Sequence, residues 1–481
     1  MRSVIGRIEE QKILNQKKNS SKAELIAVLG RRRVGKTYLI RNYFATDIVF
    51  ELTGIHDASL RIQLQNFTIA LQKATKSPIL ATVPSNWLEA FTILESFIAT
   101  LPTTQPAVIF LDEFPWLHTH KSNFLQAFDH WWNSSASKNA HVKVVICGSA
   151  ASWMIDKVVE AKGGLHNRVT QTIRLLPFTL AETEAYLKSE DIKLDRYKIL
   201  QLYMAIGGIP HYLQHIKKGE SPAQIIDRLF FTKDGPLQKE FSLLFESLFD
   251  QSPQHEAVIR ALAKKGMGLT RQEIIDATGA SSGGGMSRIL KELEESGFIT
   301  PYIPFQKTSN DSIFKLSDEY SLFYLKFVDK VKTMGEGSWL SQFNTPSYIS
   351  WSGFAFESVC QKHIRQIKAA INIGTGIRTG VSAWRYSPPR GSKMKGTQID
   401  LLLDRNDGVI NLCEMKFSKE IFVIDKSYAD ELDNKLQVFV RETKTKSTIF
   451  PTMITTRGVK KNSYAAGRVQ NEVTMDDLFN L

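Results

Sequence analysis

The chain has 481 residues, which is too long for one ordinary hydrophobic core and indicates about three domains. Its composition of 43% hydrophobic, 10% aromatic and 23% charged residues excludes a disordered, collagen-like or coiled-coil protein. The formal net charge of +12 favours a polyanionic partner, and nucleic acid, nucleotide and acidic membrane surface all remain open at this point.

The cysteines and the short apolar runs limit the class of protein further. Cys147, Cys360 and Cys413 show no CxxC spacing, so neither a disulfide framework nor a zinc site is expected. Apolar runs such as Leu25–Leu29 are far shorter than the roughly 20 residues of a membrane helix, and the N-terminus lacks the apolar region of a signal peptide. We therefore expect a cytoplasmic protein without a membrane partner.

The first 250 residues alternate strand-like and helix-like patterns. Three β-branched and aliphatic runs predict buried strands of a largely parallel sheet, at Glu24–Leu29, Val108–Leu111 and Val142–Cys147. Further along, apolar residues recur at helical spacing and are interrupted at Gly207–Pro210, which predicts a small helical lid. We place an α/β core at residues 1–180 and the lid at residues 181–250.

The segment 251–335 has the pattern of a winged helix. Short apolar helices are followed by two strand-like runs, 298–304 and 312–316, which would form the wing. The helix that would read DNA, 286–297, carries more acidic than basic residues, and the basic excess of the chain lies on either side of this segment. Sequence-specific DNA reading and a packing or protein-contact role both remain open for this domain.

The last segment, 336–481, returns to an α/β pattern. It predicts a helix at Ser352–Ala369 and strands at Gln398–Leu403, Val409–Lys416 and Thr448–Thr455. The fold class expected for the whole chain is therefore α/β, with a parallel-sheet core and helical lid, then a winged helix, then a small α/β domain.

The strongest motif follows the first predicted strand directly. It has the form GxxxxGK[ST] and consists of Gly30, Arg31, Arg32, Arg33, Val34, Gly35, Lys36 and Thr37. In such a loop the glycines let backbone N–H groups surround phosphate oxygens, the lysine contacts the terminal phosphates, and the threonine hydroxyl ligates Mg²⁺. The following helix adds the positive end of its dipole. The motif predicts a nucleotide site with Mg²⁺, against the alternative of a plain glycine turn.

Two further strand ends bring polar groups to the same edge of the predicted sheet. Val108–Leu111 leads into Asp112, which we expect to hold the Mg²⁺ shell, and Glu113, which we expect to polarise the attacking water. Val142–Cys147 leads towards Ser149, which either senses the γ-phosphate or caps the end of its strand.

These motifs together resemble the prokaryotic archaeal-type ATPase family, which belongs to the STAND and AAA-related P-loop ATPases. The resemblance covers roughly residues 1–250 and rests on motifs in the expected order: Ile5-Gly6-Arg7 with Glu9, the loop at 30–37, FLDE at 110–113, CGS at 147–149, Arg168 before residues 173–178, and Gly207-Gly208-Ile209-Pro210. It implies that ATP is the nucleotide, that Gly6 and Arg7 lie near the base, and that Pro210 contacts the nucleotide.

The resemblance also implies a role for Arg168 as an arginine finger or sensor, with an ordinary surface arginine as the alternative. No lid arginine or lysine is recognised after Pro210, where many AAA+ proteins carry one. Slow hydrolysis, with the nucleotide acting more as a switch than as fuel, is therefore expected.

A second acidic motif lies near the C-terminus. Asp400 opens one predicted strand, and Glu414 and Lys416 lie two residues apart on the next, so that both project from the same face. The two carboxylates and the Met415 carbonyl would ligate Mg²⁺, while Lys416 would orient or deprotonate water. This is the chemistry of metal-assisted phosphodiester hydrolysis, and a hairpin with a structural salt bridge is the alternative.

This region resembles the restriction-endonuclease-like PD-(D/E)XK fold. The resemblance places the motif at Asp400, Glu414 and Lys416, and it implies an additional helix carboxylate at Glu357 as a metal ligand. Ile399 stands where the motif has a proline.

The sequence thus predicts an ATP-binding and ATP-hydrolysing switch with a Mg²⁺-dependent nuclease domain that acts on nucleic acid, DNA before RNA. The alternative is an ATP-controlled DNA-binding or protein-interaction regulator whose nuclease-like domain does not cleave. A protein partner or a homo-oligomer is compatible with both. Basic residues flank the two phosphate-handling motifs, in the P-loop itself and in a run before Asp400 that comprises Arg385, Arg390, Lys393 and Lys395.

Overall fold

The computed structural model describes residues 4–76, 82–149, 151–160, 165, 167–249, 251–281, 283–330, 335, 337–342, 345–389 and 396–480. Arg390, Lys393 and Lys395 of the basic run lie outside the described residues. The chain divides into two compact units. The first runs to Pro177 and includes short stretches around residues 249 and 296, and the second holds the remainder.

The first unit is built on a parallel five-stranded sheet. Its strands, in chain order, are β1 (Glu24–Leu29), β2 (Ile48–Thr53), β3 (Ala107–Asp112), β4 (Val142–Gly148) and β5 (Gln171–Arg174). They lie in the order β2-β3-β4-β1-β5, and every neighbouring pair is parallel. The prediction of a largely parallel sheet is confirmed. The central strands β1, β3 and β4 are buried at every position, as expected for a parallel sheet covered on both faces.

Helices connect these strands and cover the sheet. They are α1 (Ile8–Lys18), α2 (Lys36–Tyr43), α3 (Leu60–Thr75), α4 (Trp87–Ala99), α5 (Phe114–Leu117), α6 (Phe124–Ser134) and α7 (Ala151–Met154), with a 3₁₀ turn at Ala136–Lys138 and a π-helical turn at Ile155–Val159. An aromatic core joins α4 to α6, where the rings of Phe91 and Trp131 stack with centroids 5.2 Å apart. This packing leaves the carboxyl ends of the strands for polar groups.

The second unit begins with helices. They are α8 (Leu180–Ser189), α9 (Arg196–Ile206), α10 (Pro210–Leu213), α11 (Pro222–Phe230) and α12 (Glu240–Glu246). The break predicted at Gly207–Pro210 lies between α9 and α10. A Cβ on Gly208 would come within 2.0 Å of the Phe178 carbonyl oxygen, and the Phe178 N–H donates to the Gly208 carbonyl at 2.7 Å. Only glycine allows this close approach of two backbones.

A small antiparallel sheet with helices follows. Its elements are α13 (Ser252–Ala263), β6 (Leu269–Thr270), α14 (Arg271–Thr278), α15 (Gly284–Glu295), β7 (Ile299–Tyr302), a 3₁₀ turn at Ser309–Asp311, β8 (Ile313–Leu316), α16 (Glu319–Phe323) and a π-helical turn at Tyr324–Val328. The sheet order is β6-β8-β7, so the two strand-like runs of the sequence pair and the short β6 joins them as a third strand.

The C-terminal part of the second unit contains a mixed five-stranded sheet. Its elements are α17 (Pro346–Lys362), α18 (Ile364–Ala370), β9 (Thr379–Tyr386), β10 (Thr397–Arg405), β11 (Val409–Lys416), α19 (Lys426–Thr443), β12 (Thr448–Thr455), β13 (Asn471–Thr474) and α20 (Met475–Leu478). The strand order is β13-β12-β11-β10-β9, with β9, β10 and β11 antiparallel and β11, β12 and β13 parallel.

The helix predicted at Ser352–Ala369 has different bounds at both ends, and it begins earlier than predicted, at Pro346. The helix expected to continue to Ala369 ends at Lys362, because His363 leaves helical geometry and a second helix begins at Ile364. All three cysteines are buried and unbonded to one another. In the parts of the chain that the structure describes, no helix has both the length and the apolar character needed to cross a bilayer.

Candidate functional site

The backbone of the P-loop is held by conformations that place strict demands on residue type. Gly30 has φ +150°, and a Cβ there would lie 2.4 Å from the Leu175 carbonyl oxygen. Arg33 and Gly35 both have positive φ, at 73° and 93°. Left-handed residues within a turn of this kind gather backbone N–H groups into an anion-binding concavity, and α2 begins at once with Lys36.

Lys36 is only 6% exposed, and its ammonium lies inside the loop. It donates to the carbonyl oxygens of Gly30 at 2.7 Å and Arg31 at 2.9 Å, and Ser149 Oγ lies 3.4 Å away. Burial lowers the pKa of the ammonium, while the carboxylates of Glu113 and Asp112 act in the opposite direction. The negative charge of a polyanion bound in the loop would stabilise the charged form of this buried ammonium.

Thr37 and Asp112 meet across the ends of α2 and β3. The Thr37 hydroxyl lies 2.9 and 3.1 Å from the two oxygens of the Asp112 carboxylate, to which it donates. Burial raises the pKa of Asp112, and the Thr37 hydrogen bond opposes that rise. A hydroxyl and a buried carboxylate in contact are a donor set that suits Mg²⁺, which takes oxygen ligands. The residues predicted for the metal are therefore brought together.

Glu113 and Ser149 meet at the same edge. The Ser149 hydroxyl donates to Glu113 Oε1 at 2.7 Å, and the Ser149 backbone N–H donates to Oε2 at 3.3 Å. Ser149 directly follows β4, which lies between β3 and β1 in the sheet. Strand β3 ends at Asp112 and leads into Glu113, and β1 leads into the P-loop. The contact between Ser149 and Glu113 was not predicted, because the sequence does not reveal the order of the strands.

The N-terminal motif at Gly6 and Arg7 makes hydrogen bonds that help to hold the P-loop. Arg7 is 4% exposed and donates to the Val34 carbonyl oxygen at 3.1 Å. Gln11 donates to the Gly6 carbonyl at 2.7 Å, which ties the turn at Gly6 to α1. Gly6 and Arg7 thus position the P-loop, and a contact of either residue with the nucleotide base stays a prediction. In the loop itself Arg31 is buried, whereas Arg33 is exposed.

Two predicted residues are not brought to this edge within the first unit. Arg168 is exposed and precedes β5, and the N–H of Thr170 bonds to the Leu25 carbonyl at 2.9 Å. Because β5 is parallel to β1, Arg168 lies at the sheet edge opposite to the P-loop. A finger role would therefore require a neighbouring molecule. Pro210 starts α10 in the second unit, and its contact with the nucleotide stays a prediction.

The C-terminal motif lies where two strands separate. The recorded ladder between β10 and β11 ends at the pair Leu401 and Cys413, so Asp400 and Glu414 each come directly after the last pair. The register between β10 and β9 also shifts between Ile399 and Leu402, which indicates a bulge at residues 400–401. Bulges of this kind redirect a side chain next to functional sites.

The side chain of Gln361 supports Asp400 from α17. Its Nε2 donates to the Asp400 carbonyl oxygen at 3.3 Å, and its Oε1 accepts from the Tyr302 hydroxyl at 2.7 Å. The Asp400 carboxylate accepts a hydrogen bond from Gln398. Neither glutamine was predicted, since neither matches a motif.

Glu414 forms an ion pair with a lysine that lies outside the predicted motif. Lys435 of α19 donates to both carboxylate oxygens, at 2.8 and 2.9 Å, and the Tyr428 hydroxyl donates at 3.2 Å. The Lys416 ammonium instead lies 4.9 Å from the centre of the Tyr428 ring. Burial raises the pKa of Glu414, and Lys435 opposes that rise. Lys435 and Tyr428 were missed because they lie on a helix that no motif connects to β11.

Glu357 of α17 belongs to the same electrostatic cluster. Burial first, and then the neighbouring Asp400, raise the pKa of Glu357 to about 8. Within the described ranges, however, no three histidine, cysteine, aspartate or glutamate side chains come together as a ligand set for a metal ion. The metal role of Glu357, Asp400 and Glu414 stays a prediction, and in this arrangement the ammonium of Lys435 pairs with Glu414.

The comparisons with known proteins cover different shares of the chain. Residues 5–216 match a protein family described as an ATPase domain predominantly from Archaea. The chain is 24% identical over 418 residues to the uncharacterized protein MJECL04 of Methanocaldococcus jannaschii. The aligned region covers 86% of this chain and 87% of that protein.

Solved structures give weaker likenesses. The Walker-type ATPase PABY2304 of Pyrococcus abyssi is similar over 67% of this chain and 96% of its own, with 16% identity and a TM-score of 0.49. The ORC2 protein of Aeropyrum pernix is similar over 66% of this chain and 91% of its own, with 15% identity and a TM-score of 0.33. The family match contains the whole P-loop site, whereas the C-terminal carboxylates lie beyond it.

Proposed function

Since residues 5–216 match a family of ATPase domains found predominantly in Archaea, we propose that this chain is a Mg²⁺-dependent ATPase that uses its nucleotide state as a switch. The observation that carries the proposal is the meeting of Lys36, Thr37, Asp112, Glu113 and Ser149 at one edge of a parallel sheet. Lysine, hydroxyl and paired carboxylates in this arrangement are the groups that phosphoryl transfer to water requires.

ATP binding follows from the loop and its lysine. The backbone N–H groups of residues 30–37 and the start of α2 would surround the phosphates, and Lys36 would exchange its two carbonyl acceptors for phosphate oxygens. Thr37 and Asp112 would hold Mg²⁺, which when bound neutralises charge on the β- and γ-phosphates. The buried position of Lys36 makes each of these contacts stronger than it would be in water.

Hydrolysis requires a group that orients water. Glu113 follows Asp112 at the carboxyl end of β3, and its negative charge acts on the buried ammonium of Lys36. It would accept a proton or a hydrogen bond from the attacking water. Since Asp112 faces Thr37 while Glu113 faces Ser149, the two neighbouring carboxylates have separate tasks.

The proposal is tested by phosphate release from Mg²⁺-ATP. Wild type is expected to hydrolyse ATP slowly, and Glu113→Gln to bind ATP with unchanged affinity while kcat falls by about a hundredfold. Glu95→Gln, at an exposed glutamate of α4, is the matched control and is expected to leave kcat unchanged. Equal rates for wild type and Glu113→Gln would overturn the role given to Glu113.

The second candidate function is phosphodiester hydrolysis by the C-terminal domain. It is favoured by the position of Asp400 and Glu414 directly after the last pair of the β10–β11 ladder, with Lys416 two residues further on. The ion pair between Lys435 and Glu414 argues for the alternative, a nuclease-like domain that binds nucleic acid without cutting it. In either case we expect nucleic acid, DNA before RNA, to be the partner of the second unit.

Cleavage separates these alternatives. Labelled DNA and RNA are incubated with wild type and Asp400→Asn in Mg²⁺ or Mn²⁺, with and without ATP. The nuclease proposal predicts cleavage by wild type alone, and a dependence on ATP would support gating by the nucleotide. No cleavage of any substrate by wild type would leave the non-cleaving alternative. Asp404→Asn, on the same strand β10, is the matched control.

We assign α13, α14, α15 and the sheet β6-β8-β7 to a winged helix. In the sequence it lies between the ATPase domain and the C-terminal domain. The chain after β7 forms a bridge from Pro304 to Ala383 of β9, and Phe305 donates to the Ala383 carbonyl at 2.9 Å. This attachment supports a packing role for the winged helix more than a role in reading DNA. A protein partner or a second copy of the chain remains part of the proposal.

A further inference from the structure

Two loops that follow neighbouring strands of the C-terminal sheet pair with each other beside the acidic motif. The first loop, 417–425, follows β11, and the second, 456–462, follows β12; we name them the paired loops. Strands β11 and β12 are parallel, with Lys416 opposite Thr455 at their ends. Both loops therefore leave the sheet at the end of β11 that carries Glu414 and Lys416.

Hydrogen bonds between the paired loops fix their shape. The Phe422 N–H donates to the Gly458 carbonyl oxygen at 2.9 Å, and the Phe422 carbonyl oxygen accepts from the Lys460 N–H at 2.8 Å. The side chain of Asn462 adds a third bond, because its Nδ2 donates to the Ile424 carbonyl oxygen at 2.9 Å. The two loops therefore form one continuous surface.

This surface is joined to the acidic motif through Tyr428 of α19. The rings of Phe422 and Tyr428 lie with centroids 5.3 Å apart, and the Tyr428 hydroxyl donates to Glu414 at 3.2 Å. The Lys416 ammonium lies 4.9 Å from the centre of the same tyrosine ring. A molecule bound to the paired loops would therefore lie next to the carboxylate and the lysine of the motif.

The paired loops carry a set of exposed cations, and a further exposed lysine begins α19. They are Lys419, Arg457, Lys460 and Lys461 in the loops and Lys426 in the helix. In the described part of the chain none of these cations forms an ion pair with a carboxylate. Nearby cations behave differently, since Lys435 pairs with Glu414 and Arg468 pairs with Asp433.

Two carboxylates lie in the same loops, and one of them already has a structural role. Asp425 is the N-cap of α19 and accepts from the Tyr428 N–H at 2.8 Å, so its charge interacts with the positive end of the helix. Glu420 is exposed. An excess of positive charge remains, and it is distributed along both loops. Such a distribution suits a chain of phosphates.

An aromatic stack adjoins the cations and orients one of them. The Arg457 guanidinium lies 5.2 Å from the centre of the Tyr197 ring of α9, which stacks on Phe417 with centroids 5.5 Å apart. A cation–π contact of this kind orients the planar guanidinium and leaves its N–H groups able to donate to phosphate oxygens.

We propose that the paired loops hold the phosphate backbone of nucleic acid next to the C-terminal site. The contacts are made by the exposed cations of these loops, Lys419, Arg457, Lys460 and Lys461. The proposal rests on nucleic acid being the partner of the second unit, and it applies whether or not the site cleaves. Since backbone contacts carry no base information, binding through this surface should depend strongly on salt and little on base sequence.

The test is fluorescence anisotropy of labelled DNA and RNA with the full chain, in an Asp400→Asn background that keeps the nucleic acid intact. Lys460→Gln combined with Lys461→Gln is expected to weaken binding about tenfold at about 50 mM salt. The slope of log affinity against log salt should become shallower by about two. Two unrelated base sequences should show the same loss.

Lys444→Gln combined with Lys446→Gln is the matched control. These exposed lysines precede β12, at the end of the strand opposite to the paired loops, and the control removes the same two charges. It is expected to keep the affinity within about twofold of the parent protein, because the lost charges are far from the bound backbone. Lys419→Gln, in the other loop, should make the slope shallower by about one and serves if the first variant does not fold.

The outcomes separate the surface from the partner. Equal losses in the two double variants would overturn the surface, since net charge alone would then govern binding. Parental affinity in the folded Lys460 and Lys461 variant, or a loss that depends on base sequence, would also overturn it and would leave the nucleic-acid partner in place. No binding of DNA or RNA by the parent protein would overturn the partner itself.

Discussion

At the scale of single residues, Lys143 of β4 is a buried cation that donates three hydrogen bonds outside the candidate site. The residue is 1% exposed, and its ammonium donates to the carbonyl oxygens of Ser20 at 2.9 Å and Ala140 at 2.8 Å, and also to that of Lys22. All three ammonium protons are therefore used. Lys143 ties two loops to the edge of the sheet opposite to the P-loop.

Lys143→Met is expected to lower the free energy of unfolding by about 3 kcal/mol, because it leaves buried carbonyls without donors. Urea denaturation followed by tryptophan fluorescence measures the change. Lys138→Met is the matched control at an exposed position and is expected to change stability by less than about 0.5 kcal/mol. Equal effects of the two substitutions would refute the structural role of Lys143.

His363 provides a pH-dependent contribution to stability. Its Nε2 accepts from the Leu180 N–H at 3.1 Å and its Nδ1 donates to the Val359 carbonyl at 2.7 Å, an arrangement that requires the neutral ring. Burial lowers the pKa of His363 to about 4, with the Val359 hydrogen bond acting against it and the charges of Lys362 and Glu182 contributing less.

Because the unfolded chain takes up the proton near pH 6.5 and the folded chain near pH 4, the stabilisation is present above pH 6.5 and is lost as the pH falls through this window. The loss should reach about 3 kcal/mol by pH 4. His363→Gln should flatten the profile of unfolding free energy against pH between these limits. Identical profiles for wild type and variant would contradict this assignment.

At the scale of elements, a buried ion pair joins α16 to α17. Glu319 is 3% exposed and Lys362 Nζ lies 2.7 Å from its carboxylate. Burial raises the pKa of Glu319, and Lys362 opposes that rise. The same carboxylate lies against Gly207, where a Cβ would come within 2.9 Å of it. The pair therefore connects the break between α9 and α10 with the helix that carries Glu357.

Lys362→Met should destabilise the second unit by about 3–5 kcal/mol, since it leaves a buried carboxylate without its cation. Adding Glu319→Gln to that variant should restore part of the loss, because the remaining amide is neutral. A double-mutant cycle in urea measures the coupling between the two residues. Additive effects would show that the pair contributes no coupling.

Some strands and helices could be predicted from the sequence and others could not. Strand β1 is found with the predicted bounds and β12 likewise, because an unbroken apolar or β-branched run leaves few alternatives. Strands β2 and β5 were not predicted: the apolar and β-branched run of β2 was overlooked, whereas β5 is short and largely polar and carries no strand signal. The helix through His363 was predicted too long, since its break depends on tertiary hydrogen bonds.

The same distinction holds for the two sites. The P-loop residues could be predicted because they are contiguous and because phosphate binding fixes their types. The partners of Glu113 and Glu414 could not, because Ser149 and Lys435 reach them only through strand order and helix packing. Local chemistry is read from sequence, whereas contacts between distant elements are not.

At the scale of the whole molecule, the net charge of +12 bears on the proposed nucleic-acid partner. Binding carried by lysine and arginine should weaken by about tenfold or more as salt rises from about 50 to 200 mM. Fluorescence anisotropy with labelled DNA and RNA measures the slope for each. Binding that does not change with salt would exclude phosphate contacts as its main source.

The central claim is that Lys36 and its loop hold the phosphates of ATP, and the most direct measurement is the titration of a fluorescent ATP analogue with Mg²⁺ into wild type and Lys36→Ala. Lys36 is buried with its ammonium inside the loop, so its loss should weaken binding by about a hundredfold. Lys22→Ala, at an exposed lysine of the same unit, should bind as wild type does. Wild-type affinity in a folded Lys36→Ala protein would contradict the account.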